Sequence, residues 1–317
     1  MTADEVNSEP ESLVVTTDTG DRIHYLDWGR PSASFRPATE RLPPLLLIHG
    51  LLATAWSWTP VARRLRHSTH VLALDLRGHG LSDSPRSGYD LESLAFDALT
   101  VLVANGYGKD ADGPPAVVAG HGLGAMVAAS MAAIQPESIC GLALVEGGWE
   151  DLAEATGLTA ADYQRSIGDP PEVMASMDAY LADRREYDPD SWDTDQERAA
   201  RAAVDEKYAG HVTSVVRAHA LRGGVEAMFE FRPREALGSL EVPLLLAVAE
   251  TGAADDETAR ERRIAIDDVI RQRTAAGLAA PDVRIFAGAG HNLMRYRPAE
   301  LSADLLELIE RAAHQRP

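Results

Sequence analysis

Val117-Val118-Ala119-Gly120-His121-Gly122-Leu123-Gly124-Ala125 is the stretch on which the fold turns. Its first residues are apolar without alternation, as in a strand buried on both faces of a sheet. Beyond Gly124 the apolar residues continue to Ile134, a length suited to a helix. Between the two lie Gly120, Gly122 and Gly124, interleaved with His121 and Leu123. Glycine reaches backbone angles closed to other residues, so the segment reads as strand, sharp turn, helix.

The same rhythm extends in both directions. Strand-length apolar runs occur at Leu45–Ile48, His70–Leu74, Ala116–Ala119, Ile139–Val145, Leu244–Val248 and Val283–Phe286. Helical stretches lie near Trp58–Arg66, Leu91–Asn105, Leu123–Ile134, Asp256–Ala275 and Ala299–Ala313. Such alternation predicts an α/β fold, a mostly parallel sheet flanked by helices. Ahead of it, Leu13–Thr17 and Arg22–Trp28 read as a hairpin turning at Thr19-Gly20-Asp21. The rhythm stops between Trp149 and Leu237, where no strand-like run is evident and helical segments rich in Asp, Glu, Arg and Ala take over. The expected organisation is a core of residues 1–148 and 238–317, with residues 149–237 as a helical cap over the strand ends. Ligands of open α/β sheets bind beyond those ends.

Composition narrows the function. The chain has 317 residues, 45% hydrophobic and 25% charged, a globular balance. Its 49 acidic against 30 basic residues leave a formal charge of −19. A field of that sign repels phosphate backbones and anionic lipid, so the expected partner is a small-molecule substrate, with neither nucleic acid nor membrane. The lone Cys140 excludes a disulfide framework and any cysteine-based metal site. Met1–Ser12 is polar and acidic with no apolar signal-peptide core, and Pro115–Ile134 is interrupted by Gly120, His121, Gly122 and Gly124. The expected compartment is the cytoplasm. No cofactor or metal is called for, because no Gly-rich turn carries the acidic ribose partner of a dinucleotide fingerprint.

Three further segments carry chemistry. Leu45-Leu46-Leu47-Ile48-His49-Gly50-Leu51-Leu52 is a buried strand ending in His-Gly. Asp75-Leu76-Arg77-Gly78-His79-Gly80-Leu81-Ser82-Asp83 runs from a strand end into a Gly-rich loop. Ile285-Phe286-Ala287-Gly288-Ala289-Gly290-His291 delivers an imidazole beyond a late strand. With the Gly120–Gly124 turn these four segments, in this order, resemble the α/β-hydrolase family, its cap-bearing esterases and lactonases in particular. The resemblance implies a nucleophile between Gly120 and Gly124, an acid, and His291 as general base. It also implies an oxyanion hole made by the N–H groups of Leu51 and Leu123.

For the acid, the run Ala249-Glu250-Thr251-Gly252 has Gly252 where the family usually has Asp. Glu146, after the preceding strand, matches branches that place the acid there, and Asp255 and Asp256 are the alternatives. Trp56, Trp149 and Met126, with Met228, are candidates for the substrate pocket or for ordinary core. His49, His79 and His121 lie in the motif loops, and the remaining histidines read as structural or surface residues.

The departure from the family is Gly122, which occupies the nucleophile position without a hydroxyl, thiol or carboxylate. No acyl-enzyme can form there. Three readings follow: an ester or lactone hydrolase whose nucleophile has been removed, an enzyme that uses water activated by His291, or a binding protein without turnover. Epoxide hydrolase and dehalogenase chemistry fits less well. Both need an Asp nucleophile, and epoxide hydrolases usually carry His-Gly-x-Pro where this chain has His49-Gly50-Leu51-Leu52.

Overall fold

The computed structural model of the protein describes residues 9–31, 41–168, 176–208, 210–250 and 257–315. Its main sheet uses β1 (Glu11–Thr16), β2 (Arg22–Asp27), β3 (Leu45–Ile48), β4 (Val71–Leu74), β5 (Ala116–His121) and β6 (Ile139–Val145). β7 (Val204–Tyr208) and β8 (His211–Ser214) form a separate hairpin, and β9 (Leu244–Glu250) and β10 (Asp282–Ala287) complete the sheet. The order across the sheet is β1-β2-β4-β3-β5-β6-β9-β10. β1 and β2 pair antiparallel, β2 is antiparallel to β4, and every pairing from β4 to β10 is parallel.

The helices are α1 (Thr59–Leu65), α2 (Leu91–Ala104), α3 (Leu123–Ile134), α4 (Leu152–Thr156), α5 (Ala160–Ile167) and α6 (Met177–Tyr187). They continue with α7 (Thr194–Ala202), α8 (Ala218–Glu230), α9 (Pro233–Leu237), α10 (Glu257–Ala275), α11 (Leu293–Tyr296) and α12 (Pro298–His314). None among the described residues is long and apolar enough to cross a membrane.

Two apolar layers explain the unbroken hydrophobicity of the strands. Leu46, Ile48 and Val118 face one layer, shared with α2, α3 and Ile266 and Val269 of α10. Leu45, Leu47, Val117 and Ala119 face the other, shared with α1 and α12. Successive residues of a strand point to opposite faces, so a sheet covered on both sides must be apolar at every position.

Among the described residues, the chain between β6 and β9 adds no strand to this sheet. The expectation of helices alone is corrected by β7 and β8, which pair antiparallel, with Val204 and Val212 buried. The signal is weak because β7 interleaves its apolar residues with Asp205, Glu206 and Lys207. A short amphipathic strand of this kind resembles helical surface in composition. Above the motif loops, α8 is seated closely. A Cβ at Gly223 would stand 2.5 Å from Tyr89, and one at Gly224 would stand 2.8 Å from Leu51 Cδ1.

Candidate active site

The site is assembled at the carboxyl ends of β3, β5, β6 and β10. At the end of β5 the chain turns through Gly122, with φ +53° and ψ −116°, directly into α3. The flanking glycines are dictated by contact. A Cβ at Gly120 would lie 2.0 Å from the Gly124 carbonyl oxygen, and one at Gly124 would lie 2.4 Å from that of Ile48. Gly122 differs. A Cβ there would meet only Gly50 Cα at 3.8 Å and His291 Nε2 at 3.9 Å. The nucleophile position is therefore open, and it faces the imidazole.

His291 follows β10 through Gly288, which has φ +66°. Its Nδ1–H donates to Glu146 Oε2 at 3.0 Å, which leaves Nε2 as the lone-pair nitrogen on the Gly122 side. Just over half of the His291 side chain is exposed, while that of Glu146 is fully buried. Glu146 is one of three described residues other than glycine with positive φ, at +53°. Its other oxygen, Oε1, accepts the Ala249 N–H at 2.6 Å. That strained backbone, of a kind costing about 1–3 kcal/mol, turns the carboxylate under the imidazole. Glu146 and His291, placed together by sequence, do meet. Asp255 and Asp256, with Gly252, lie outside the described residues.

The histidines of the motif loops are neutral struts. His121 Nε2–H donates to the His291 carbonyl at 3.1 Å, and the two rings lie 4.5 Å apart. Burial, reinforced by the neighbouring His291, pushes the His121 pKa down to about 3. His49 donates from Nδ1 to the Gly50 carbonyl and accepts the Leu76 N–H at Nε2. His79 accepts the Leu52 N–H, and burial together with His49 lowers its pKa to about 3.

Asp75, which sequence reading left without a role, is the hub of these loops. It accepts the Ala55 and Leu81 N–H groups at 2.7 and 3.0 Å and pairs with His24 Nδ1 at 2.7 Å. Burial opposes its charge, but these bonds prevail and its pKa lies below the ordinary value. The recognisable signal was the small residue Gly80, where a Cβ would strike the Asp75 carboxylate.

The hydrogen bonds of the turn after His49 run from Ala53 N to Gly50 O and from Leu52 N to His79. Neither uses the amide of Leu51. Leu123 heads α3, where an amide has no helical carbonyl behind it. Both are thus candidates to receive a developing oxyanion above Gly122.

The pocket candidates are dispersed. Met126 and Trp149 are buried in one apolar layer with Met228, whereas Trp56 packs against the other. Arg198 stacks on the Trp56 ring at 3.8 Å. Trp149 lines a cavity of about 440 Å³ between α4, α9 and α10, whose walls include none of Gly122, Glu146 and His291.

Comparison with known proteins bears on the family and the fold. The chain is 26% identical over 306 residues to a non-heme chloroperoxidase of Streptomyces lividans, covering 93% of this chain and 99% of that protein. It is 36% identical over 131 residues to mouse (Mus musculus) epoxide hydrolase 4, covering 40% of this chain but only 32% of the relative. The chain thus spans about a third of the length of that relative. Among solved structures, the crystal structure of E-2-(acetamidomethylene)succinate hydrolase superposes with a TM-score of 0.71 at 20% identity, covering 95% of this chain and 100% of that one. A family model described as "Alpha/beta hydrolase family" matches residues 45–304, so the chain belongs to that family.

Proposed function

We propose that this hydrolase scaffold is shaped for a small-molecule carboxylic ester or lactone, and that Gly122 deprives it of covalent turnover. One observation carries the reading: the open Cβ direction at Gly122 aims at His291 Nε2, 3.9 Å away. A serine hydroxyl, one bond beyond such a Cβ, would come within reach of the imidazole. His291 would take the hydroxyl proton, with Glu146 fixing the tautomer and stabilising the imidazolium. The Leu51 and Leu123 amides would receive the oxyanion, and His291 would return its proton to the leaving alcohol. In this chain every part of that sequence except the nucleophile has a residue to carry it.

The test is Gly122→Ser, assayed on activated esters and lactones with burst kinetics for an acyl-enzyme. Losing such a nucleophile costs on the order of 10⁶ in turnover, so a gain of at least about 10²-fold is expected. Adding His291→Ala to Gly122→Ser should abolish that gain. No gain across a broad panel, with the fold intact, overturns the reading.

The same open space favours one alternative, in which water beside Gly122 is activated by His291. Hydrolysis by the unaltered chain that disappears in His291→Ala would select it. Tight ligand binding without turnover in either form would select a binding protein. Gly122→Asp with an epoxide panel tests the remaining chemistry, since the similarity to epoxide hydrolase 4 does not supply the carboxylate that chemistry requires.

A further inference from the structure

Glu146 holds two partners on one oxygen. Oε2 accepts from His291 Nδ1 at 3.0 Å and also from Arg262 Nη1 at 3.4 Å. Arg262 lies on α10, about a third exposed, and its Nε stands 3.9 Å from Glu150 Oε1. Glu150 in turn accepts the Trp149 indole N–H at 3.2 Å. A cation is therefore braced against the same carboxylate oxygen that receives the imidazole, and a second acid, itself held by an indole, stands beside that cation.

We infer that Arg262 is a positioning residue that sets the basicity of His291 by sharing Glu146 Oε2. The inference rests on the reading of His291 and Glu146 as base and acid, and it adds a residue to that pair.

The physics has a definite sign. A carboxylate that serves one imidazolium puts its full charge at that proton, whereas one that also serves a guanidinium divides it. The guanidinium additionally repels the imidazolium through space. Both effects favour neutral His291, the form able to accept a proton. Exposure of Arg262 and of His291 weakens the coupling.

Among the described residues, the charged and titratable neighbours of the pair are few. From β6 and the loop after it come Glu146 and Glu150, from the elbow His121, and from α10 Arg262. His121 is held neutral by burial. The next arginine on α10, Arg263, is occupied with Glu250 at 2.8 Å, and Arg295 of α11 is turned to Asp188. Arg262 is thus the cation bonded to the acid among the described residues.

The experiment is a pH titration of the His291 imidazole by side-chain nitrogen–proton NMR, with the signal identified by its loss in His291→Gln. It requires no turnover, so it succeeds or fails independently of Gly122→Ser. Arg262→Met keeps the aliphatic stem and removes the charge, and should raise the His291 pKa by about half to one unit, a three- to ten-fold gain in proton affinity. Arg262→Lys should leave it near the parent value. Should Arg262→Met not fold, Arg262→Gln is titrated in its place with the same expectation. An unchanged or lowered pKa in a folded, charge-removed variant overturns the inference. So does a Lys variant that titrates like the Met variant, because a purely structural role for the guanidinium would be lost in both.

Discussion

Gly120, Gly122 and Gly124 look alike in sequence but are glycines for different reasons. The outer two are excluded from carrying a side chain by backbone atoms within 2.0 and 2.4 Å of a Cβ. Gly122 has room and is constrained only by its φ of +53°. Alanine at Gly122 and at Gly124 should separate these causes. Gly122→Ala should cost about 1–3 kcal/mol of backbone strain. Gly124→Ala should cost more, about 3 kcal/mol or above, because α3 must move off the β3 carbonyls or the strand must yield. Denaturant melts of both variants measure the difference, and equal losses would show that strain and contact had been wrongly divided. The positions of Gly122, Glu146 and His291 were legible because each sits at a strand end beside turn glycines. Arg262 was not. It is one of three closely spaced arginines, with Arg260 and Arg263, on a polar helix, and no spacing distinguishes the one that folding brings to Glu146.

Whole elements were legible where they are apolar and periodic. All eight strands of the main sheet coincide with anticipated runs to within a few residues, the inner ones because burial on both faces demands continuous hydrophobicity, and the edge strand β1 because it pairs with β2 across the Gly20 turn. Between β6 and β9, α6 and α7 were read less well, since they are polar and hold to the rest of the chain through particular side chains rather than a broad apolar face such as that of α8. Asp188, just after α6, shows how. Its carboxylate accepts from the Tyr296 hydroxyl at 2.7 Å and pairs with Arg295 at 3.2 Å, both residues of α11, the helix that follows His291. Nearby, Asp195 of α7 pairs with Arg63 of α1 at 2.7 Å. The first link fastens the end of α6 to the segment that follows the imidazole, and the second fastens α7 to α1. Asp188→Ala should therefore speed amide hydrogen exchange in residues 176–202 and in α11 by an order of magnitude or more, while β3, β5 and β6 stay protected. Exchange unchanged in α6 and α7 would mean that the fastening lies elsewhere.

At the scale of the molecule, stability is tied to pH through histidines that the fold keeps neutral. His79 and His121 have pKa values of about 3 in the folded chain, burial being the main cause in each. Unfolded, each would titrate near the ordinary value of about 6.5. Between those limits the unfolded chain binds more protons than the folded one, so stability must fall as pH falls. The loss begins below about pH 6.5, and each residue contributes about 1.4 kcal/mol per pH unit until the folded value is reached. By pH 5 the pair should have removed about 4 kcal/mol, a large share of a typical domain's 5–15 kcal/mol. The global charge acts in the opposite sense. At −19 the folded chain repels itself, and acidification relieves that repulsion. The two effects are separable, because His121→Gln retains an amide donor for the His291 carbonyl but cannot titrate. Urea midpoints measured from pH 7 to pH 5 should fall for the parent chain, and the fall should be shallower in His121→Gln by about 1 kcal/mol per pH unit. Parallel slopes for the two proteins would mean that His121 already accepts a proton in the folded state, and that the strut between the elbow and His291 is not held neutral.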